Sequence, residues 1–351
     1  MSDRDLYKYF ETVEDFEELP TIRNLPRKTQ RLKLDWNPNH KPKGIPQEVR
    51  QQLAEQTDLK DHFNFTYQAS RHERRWIIDS LGDFYEGQWL DDVLRLIKGG
   101  KEAHVYQCQA NPSVSGLQKP YIAAKVYRPR QFRNLRKDHI YREGRTDLDA
   151  DGNLITEDGM LNAMRQRSAY GLELLHTSWI EHEFQALRTL QSAGADVPAP
   201  LARGNNSILM SYIGGDETPA PTLNTVDLEP QEARQLFQRL LHNIELMLAH
   251  KIVHGDLSAY NVLYWEGQIT VIDFPQVIDP HINRNAYRIF VRDLTRLCEY
   301  FASQGVKSNP RKLAAQLWAK FGYHTSPEVH PALLDAEDAG DRRYWRKMSQ
   351  G

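Results

Sequence analysis

The chain has 351 residues, a formal net charge of −2 at pH 7, and 40% hydrophobic residues beside 26% charged ones. That balance is typical of a folded globular protein, and it excludes a strong global field that would draw the chain to nucleic acid or membrane. Because the chain has two cysteines, no apolar leader and no stretch approaching ~18 uninterrupted apolar residues, we expect a cytoplasmic protein that does not contact membranes.

Residues 1–66 are expected to form a weakly ordered extension. The first 20 residues are acidic, whereas residues 23–43 are basic, interleaved with prolines and without helical or strand periodicity. This composition favours a solvated arm, and it leaves open a contact between the basic run and RNA phosphates.

A helix is predicted over residues 70–82. Ser70 and Glu73 make a capping box, the apolar residues that follow have helical spacing, and Gly82 marks the end. We expect this helix to pack against the small lobe of an enzyme.

A strand, a glycine pair and a second strand come next, which is the arrangement of a loop that covers phosphates. Gly99 and Gly100 would let the backbone approach the phosphates, with Lys101 beside them. The following strand, over 121–127, carries Lys125 within a run otherwise suited to burial. Since a buried lysine is costly unless an acid pairs with it, we predict an acidic partner on the next helix.

That partner is predicted on a helix over 179–190. Its apolar residues recur at helical spacing, and Glu183 adjoins the apolar face while Glu181 points elsewhere. We therefore predict an ion pair between Lys125 and Glu183.

The two segments are separated by a charged insertion, 128–170. It contains Asp147-Leu-Asp-Ala-Asp-Gly-Asn153, which resembles the start of a calcium loop. The twelfth loop position is Asp158 where a glutamate is required, and no amphipathic helix is expected on either side. We predict a polar turn that does not bind calcium.

Residues 207–213 are predicted to form a strand and hinge whose backbone holds an adenine. In that interpretation Met210 lies near the back of the pocket, a place compatible with an ordinary core residue, and Ser211 and Ile213 line the hinge. Further on, periodic apolar residues predict helices over 236–248, 287–301 and 310–321.

The stretch from Ile252 to Phe274 carries three polar groups at a spacing suited to phosphoryl transfer. A hairpin, 262–272, should return Asp273 to the side of Asn261, where a carboxylate and an amide oxygen make a site for Mg²⁺. Asp256 precedes the hairpin and is free to accept a proton from an attacking hydroxyl.

A loop Asp and Asn followed by a D-F-x metal Asp is the second half of the protein-kinase signature. Two departures are evident. His254-Gly255-Asp256 lacks the usual arginine, and Asp273-Phe274-Pro275 is not followed by an A-P-E segment. The same pattern resembles aminoglycoside and choline phosphotransferases, so these residues predict a phosphotransferase and leave the acceptor open.

Five pieces of the sequence carry a family resemblance: Gly100-Lys-Glu-Ala-His-Val-Tyr106, Met210-Ser-Tyr-Ile-Gly214, Thr218-Pro-Ala-Pro221, His254-Gly-Asp-Leu-Ser-Ala-Tyr-Asn261 and Ile272-Asp-Phe-Pro-Gln276. With them, residues 70–305 resemble the RIO family of atypical protein kinases. The chain is closest to the RIO-one branch of that family, whereas Asp273-Phe-Pro-Gln276 is more like the RIO-two branch.

The resemblance implies an α+β, bilobal protein-kinase-like fold without an activation segment. The N-lobe would be 67–213, the C-lobe 214–324, and a polar tail would follow over 325–351. It also implies ATP with Mg²⁺ as cofactors, autophosphorylation on Ser or Thr, a transient phosphoryl group on Asp273, and work on ribosome maturation.

Two enzymatic functions and one function of a different class remain open, and the first is favoured. The first is a RIO-type serine/threonine kinase or ATPase, with Lys125, Glu183, Asp256, Asn261 and Asp273 as its site. The second is a small-molecule phosphotransferase. The third is a nucleotide-gated assembly factor that binds ribosomal RNA or a pre-ribosomal particle through residues 23–43.

Overall fold

The computed structural model describes residues 63–100, 102–117, 119–128, 141 and 144–325. Several predicted segments lie outside the described residues: the basic run 23–43, Lys101, residues 129–140, 142 and 143 of the insertion, and the tail after 325.

The N-terminal half is built on a five-stranded antiparallel sheet in the order β1-β2-β3-β5-β4. Its strands are β1 Leu90–Gly99, β2 Ala103–Ala110, β3 Tyr121–Tyr127, β4 Pro200–Arg203 and β5 Ser207–Ser211. In this register Lys125 lies between Val105 and Ile208 on the neighbouring strands. The predicted lysine therefore occupies the central strand of the sheet.

Helix α1, Arg71–Glu86, packs on one face of this sheet. The backbone N–H of Glu73 donates to the side chain of Ser70 at 3.4 Å, which confirms the predicted start of the helix. The predicted end at Gly82 is wrong, because the helix runs a further turn. Burying Phe84 in the core, where it is 6% exposed, offsets the ~1 kcal/mol that a helical glycine costs.

The described part of the insertion contains a helix that was not expected. Helix α2, Asp158–Arg165, is amphipathic and packs through Met164 against Ile155 and Leu175, so the expectation of no flanking helix is wrong. The predicted polar turn is present, since Oδ1 of Asp149 accepts from the backbone N–H groups of Asp151 and Asn153 at 2.9 Å each.

Helix α3, Ala169–Ser192, is much longer than the predicted 179–190. The side chain of Ser168 caps it by accepting from the Gly171 N–H at 3.1 Å. The added turns bury Leu175 against α2, whereas the apolar residues that predicted the helix lie further along it, with Ile180 packed on the sheet and Leu187 in the core of the C-terminal half.

The C-terminal half has three main helices and a hairpin around the largest buried cluster of the described residues. The elements are α4 Pro230–Ala249, β6 Val262–Trp265, β7 Gln268–Val271, α5 Ala286–Ser303 and α6 Pro310–Lys320. They contain or coincide with the predicted elements to within a few residues. The hairpin turn has φ of 50° at Glu266 and 77° at Gly267, as a two-residue turn requires. Among the described residues, no helix has the length and apolar character needed to span a bilayer.

Candidate active site

Lys125 is the centre of the site and is only 8% exposed. Its Nζ lies 2.6 Å from Oε1 of Glu183 and 2.6 Å from Oδ1 of Asp273, so β3, α3 and the segment after β7 meet at this amine. The predicted pair of Lys125 and Glu183 is present. Glu181 does point elsewhere, and it binds Nε of Arg203 at 2.6 Å.

The two carboxylates decide the charge of this lysine. Burial alone would lower the pKa of the Lys125 amine, but the carboxylates of Asp273 and Glu183 outweigh it and hold that pKa above its usual value. Burial would likewise raise the pKa of Asp273, and the Lys125 ammonium holds it below its usual value. The pair is therefore ionised on both sides at neutral pH.

Asp273 is held in a left-handed backbone conformation, with φ of 73°. Residues other than glycine seldom adopt this region, and the surroundings must compensate for the strain. Phe274 does so: it is fully buried, its ring lies 4.7 Å from that of His254, and its N–H donates to Glu183 at 3.3 Å. The buried phenylalanine thus fixes the acid before it, whose side chain is 37% exposed.

The hairpin places Asn261 next to the strand end that leads into Asp273. The N–H of Ile272 donates to the carbonyl of Asn261 at 2.9 Å, as the predicted geometry requires. The amide nitrogen of Asn261 donates to the carbonyl of Asp256 at 2.9 Å and lies 3.4 Å from its Oδ2. Asn261 therefore contacts Asp256 directly and also accepts from the residue immediately before Asp273.

The residues at this site fit a magnesium ion. Because the amide nitrogen of Asn261 donates to Asp256, its Oδ1 is the atom that can take a metal. Together with the carboxylate of Asp273 it offers two hard oxygen ligands, and Mg²⁺ usually takes few protein ligands and completes its shell with water and phosphate. Among the described residues, no group of three or more His, Cys, Asp or Glu side chains is suited to a metal.

Gly255 explains the missing arginine of the kinase pattern. Its φ is 85°, and a Cβ atom there would lie 2.1 Å from the carbonyl oxygen of Gln276. The loop thus packs directly against the chain that follows Asp273, and no side chain fits between them. Arg292 of α5 donates to the carbonyl of Gly255, and the ring nitrogen of His254 donates to that of Ile272 at 3.1 Å.

The glycine pair lies where a tight turn joins β1 and β2. A Cβ atom on Gly100 would lie 2.8 Å from the carbonyl oxygen of Ala103, so the turn needs glycine at this position. Gly99 ends β1 opposite His104, and the N–H of Arg128 donates to the carbonyl of Glu102 at 2.9 Å. Lys101, predicted beside the phosphates, lies outside the described residues.

Several groups of the predicted hinge already form contacts within the protein. Met210 is 8% exposed and belongs to the same buried cluster as Tyr127 and Trp179. The side-chain oxygen of Ser211 accepts from the N–H of Ala199 at 2.9 Å, and the carbonyl of Ile213 accepts from the N–H of Ala220 at 3.1 Å. Adenine binding at these residues stays a prediction.

Next to the turn between β1 and β2 lies a buried chain of hydrogen bonds that sequence reasoning missed. Nη2 of Arg128 lies 3.1 Å from Nε2 of His104, whose Nδ1 lies 3.2 Å from the hydroxyl of Tyr106. That hydroxyl donates to Glu73 of α1 at 3.0 Å. Since Arg128 can only donate, this chain of hydrogen bonds assigns the Nδ1–H neutral form to His104. His104 and Tyr106 lie two residues apart on one strand face, which is the signal that could have revealed them.

The second missed residue is Arg296 of α5. Its Nη1 donates to Oδ1 of Asp256 at 2.7 Å. It lies on the exposed side of a helix that was predicted from the spacing of its buried apolar residues. That spacing does not indicate which exposed residue contacts the loop.

The sequence is similar to known proteins of one family. The RIO domain family model matches residues 104–313, from β2 into α6. Human serine/threonine-protein kinase RIO3 is 33% identical over 131 residues, which are 37% of this chain and 25% of that protein. The RIO-type serine/threonine-protein kinase Rio1 of Thermoplasma acidophilum is 30% identical over 135 residues, which are 38% of this chain and 69% of that protein. The chain thus spans about a quarter of the human relative's length.

A solved structure shares the fold. The Rio2 kinase of Chaetomium thermophilum, described as an ADP/Mg²⁺-phosphoaspartate complex, superposes with a TM-score of 0.50 and 18% identity. The match covers 88% of this chain and 86% of that one. This likeness confirms the predicted bilobal, kinase-like α+β fold.

Proposed function

This chain belongs to the RIO domain family, and we propose that it is an ATP-dependent RIO-type kinase acting on protein serine or threonine. The observation that carries the proposal is the meeting of Lys125, Glu183 and Asp273 at distances of 2.6 Å from separate elements. Asp256 and Asn261 lie on the adjoining loop. Phosphoryl transfer requires such positioned charges from a protein and little covalent chemistry.

Each residue then has a distinct role. Lys125, fixed by Glu183, orients the α- and β-phosphates of ATP, while Asn261 and Asp273 hold Mg²⁺. When bound, Mg²⁺ neutralises charge on the phosphate oxygens during transfer. Asp256 accepts the proton of the attacking hydroxyl.

The remaining predicted nucleotide contacts come from two backbone segments. In this proposal the turn at Gly99 and Gly100 covers the phosphates with its backbone, and the second glycine has no room for a side chain because a Cβ there would lie 2.8 Å from the carbonyl oxygen of Ala103. The hinge residues Met210, Ser211 and Ile213 enclose the adenine.

The names of the relatives favour a protein acceptor over a small molecule. The human and Thermoplasma proteins are both named serine/threonine-protein kinases. A small-molecule phosphotransferase shares the loop Asp, the Asn and the metal Asp, so the site geometry alone fits both, and we propose the protein acceptor on the family match.

A transient phosphoryl group on Asp273 is part of this proposal. In that step a carboxylate oxygen of Asp273 forms a bond to the γ-phosphorus, the bond to ADP breaks, and ADP leaves. Water then hydrolyses the acyl phosphate. The 37% exposure of the Asp273 side chain and the phosphoaspartate named for the fungal Rio2 kinase support it.

The test of the proposed function is a thermal shift with Mg·ATP combined with transfer of label from γ-labelled ATP. We expect Mg·ATP to raise the melting temperature and label to appear in the protein or as free phosphate. Mg·AMP serves as the control, because it lacks the β- and γ-phosphates that Lys125 and the metal ligands would bind. An unchanged melting temperature at saturating Mg·ATP, with no label released, would contradict the proposal.

The link to ribosome maturation is a finer part of the proposal, supported by the basic run 23–43 and by the family. A truncated protein without residues 1–45 should keep ATP turnover and lose affinity for structured RNA. Each lost contact between a basic side chain and a phosphate should reduce the salt slope by about 0.7–0.9. Identical slopes for the two chains would argue against an RNA contact of this arm.

A further inference from the structure

Helix α5 supports the catalytic loop through three charged side chains on neighbouring turns. Arg292 donates to the carbonyl of Gly255, and Asp293 is buried beneath the loop at 2% exposure. One turn on, Nη1 of Arg296 donates to Oδ1 of Asp256 at 2.7 Å. We propose that Arg296 is a positioning residue that orients the carboxylate of Asp256 for proton transfer. This inference rests on the proposed function, in which Asp256 is the base.

Little else in the described structure fixes the orientation of this carboxylate. The Asp256 side chain is 50% exposed. Its other side-chain contact among the described residues is the Asn261 amide, which lies 3.4 Å from Oδ2, near the upper limit for a hydrogen bond. Without Arg296, rotation about the Cβ–Cγ bond would be held by that weak contact alone.

Stability does not explain the pair. Arg296 is 43% exposed and Asp256 50% exposed, and ion pairs between such groups contribute little to the free energy of unfolding. The helix around Arg296 is nevertheless rigid, because Leu294 and Leu297 are each 1% exposed in the core. The ion pair between Arg296 and Asp256 thus adds little stability, but the rigid helix allows Arg296 to fix the orientation of the Asp256 carboxylate.

The guanidinium of Arg296 provides a positive charge that the loop carrying Asp256 lacks. Residues 254–261 contain no lysine or arginine, so the positive charge beside the base comes from α5. Because Arg296 binds Oδ1 of Asp256, the other oxygen, Oδ2, on the side of Asn261, is the one that can take the proton from the substrate hydroxyl. Small misplacements of a reacting group cost up to ~100-fold in rate.

The test is a double-mutant cycle measured by kcat, the KM for ATP and the melting temperature. We expect Arg296→Ala to lower kcat about 10-fold, within the range expected for a misplaced group, with the KM and the melting temperature unchanged. Arg296→Lys, which keeps the charge but can reach Oδ1 only as a point donor, should recover part of that loss. In an Asp256→Asn background, Arg296→Ala should cause no further loss, because it acts through that carboxylate.

Arg288 provides a matched control. It is an exposed arginine on the same helix and donates to Asn285, so Arg288→Ala should leave kcat unchanged. A full loss from Arg296→Ala in the Asp256→Asn background would show that the arginine acts independently of the base and overturn the inference. A wild-type kcat in Arg296→Ala would also overturn the inference. The same holds if Arg296→Ala and Arg296→Lys lose kcat equally and both melt at a lower temperature than the wild type. Wild-type turnover in Asp256→Asn would remove the base on which this inference rests while leaving an active enzyme. The proposed function itself fails only if wild-type protein shows neither a thermal shift nor label transfer with Mg·ATP, so the two failures are distinguishable.

Discussion

The ammonium of Lys125 lies as close to Asp273 as to Glu183, at 2.6 Å from each carboxylate. The two acids differ in their surroundings: the Glu183 side chain is 2% exposed, whereas that of Asp273 is 37% exposed. Glu183 is therefore the permanent partner of the lysine. Asp273 is the more exposed of the two acids, and in the proposed function its contact with Lys125 is exchanged for contacts with a metal and phosphate.

We predict that Lys125→Ala abolishes most of the stabilisation by Mg·ATP. A ligand at 100 times its Kd should add about 2.7 kcal/mol to the free energy of unfolding, and that gain should largely vanish in the variant. The variant should also melt lower without ligand, because Glu183 is left as a buried charge without its cation. The measurement is melting temperature with and without Mg·ATP. Lys320→Ala, at an exposed ion pair with Glu245, is the control and should keep the ligand effect.

Asp256→Asn should slow turnover by ~10²–10⁴, the usual contribution of a positioned base. The substitution keeps the size of the side chain and removes its ability to take a proton. Binding should survive, so the thermal shift with Mg·ATP should match that of the wild type. Equal rates of phosphate release in the two proteins would show that Asp256 is not the base.

Acid should destabilise the protein through His104. Burial, followed by the charge of Arg128, lowers the pKa of His104 to about 4, whereas an unfolded histidine titrates near ~6.5. Between pH ~6.5 and 4, the histidine is therefore protonated in the unfolded chain and neutral in the folded protein. The free energy of unfolding that is present above pH ~6.5 is lost progressively as the pH falls toward 4. The full loss is about 3 kcal/mol for this group.

The measurement is melting temperature between pH 7.5 and 4.5. Burial also lowers the pKa of His182 to about 4, so both histidines contribute in the same window. His104→Gln should therefore show a shallower fall than the wild type while retaining the part due to His182. Parallel curves would mean that His104 does not resist protonation.

Gly255→Ala should disable the enzyme by displacing the loop that carries Asp256. Its Cβ would lie 2.1 Å from the carbonyl oxygen of Gln276, in addition to the strain of a left-handed residue. Gly305→Ala isolates the strain, because Gly305 has nearly the same φ, 84°, and no atom within 4 Å of the added Cβ. We expect the Gly305 variant to lose about 1 kcal/mol of stability and keep its turnover. Equal turnover in the two variants would contradict the role given to close packing at Gly255.

The central residues of the site could be predicted because a charged residue stands where the local sequence pattern calls for an apolar one. A lysine in an apolar strand demands an acid, and a helix face places Glu183 correctly. The supporting residues break no such pattern. Arg296 has the pattern of a solvated arginine on a helix, and it meets Asp256 only through the packing of α5 under a loop 40 residues away in sequence. Gly82 misled the prediction because tertiary burial of Phe84 outweighs a local helix penalty.

The last prediction concerns covalent chemistry at Asp273. If its carboxylate takes the γ-phosphoryl group, brief incubation with γ-labelled ATP should label the protein with an acyl phosphate. The anionic γ-phosphate would meet an anionic acid there, so the Lys125 ammonium beside Asp273 must offset the repulsion. Hydroxylamine cleaves acyl phosphates and spares phosphoserine and phosphothreonine.

We therefore expect a hydroxylamine chase to remove the early label from wild-type protein, and Asp273→Asn to prevent that label from forming. Asp256→Asn should accumulate it, provided that Asp256 helps water to hydrolyse the intermediate. Label that resists hydroxylamine and maps only to Ser or Thr would leave Asp273 as a metal ligand, because direct transfer to a hydroxyl needs no nucleophilic carboxylate.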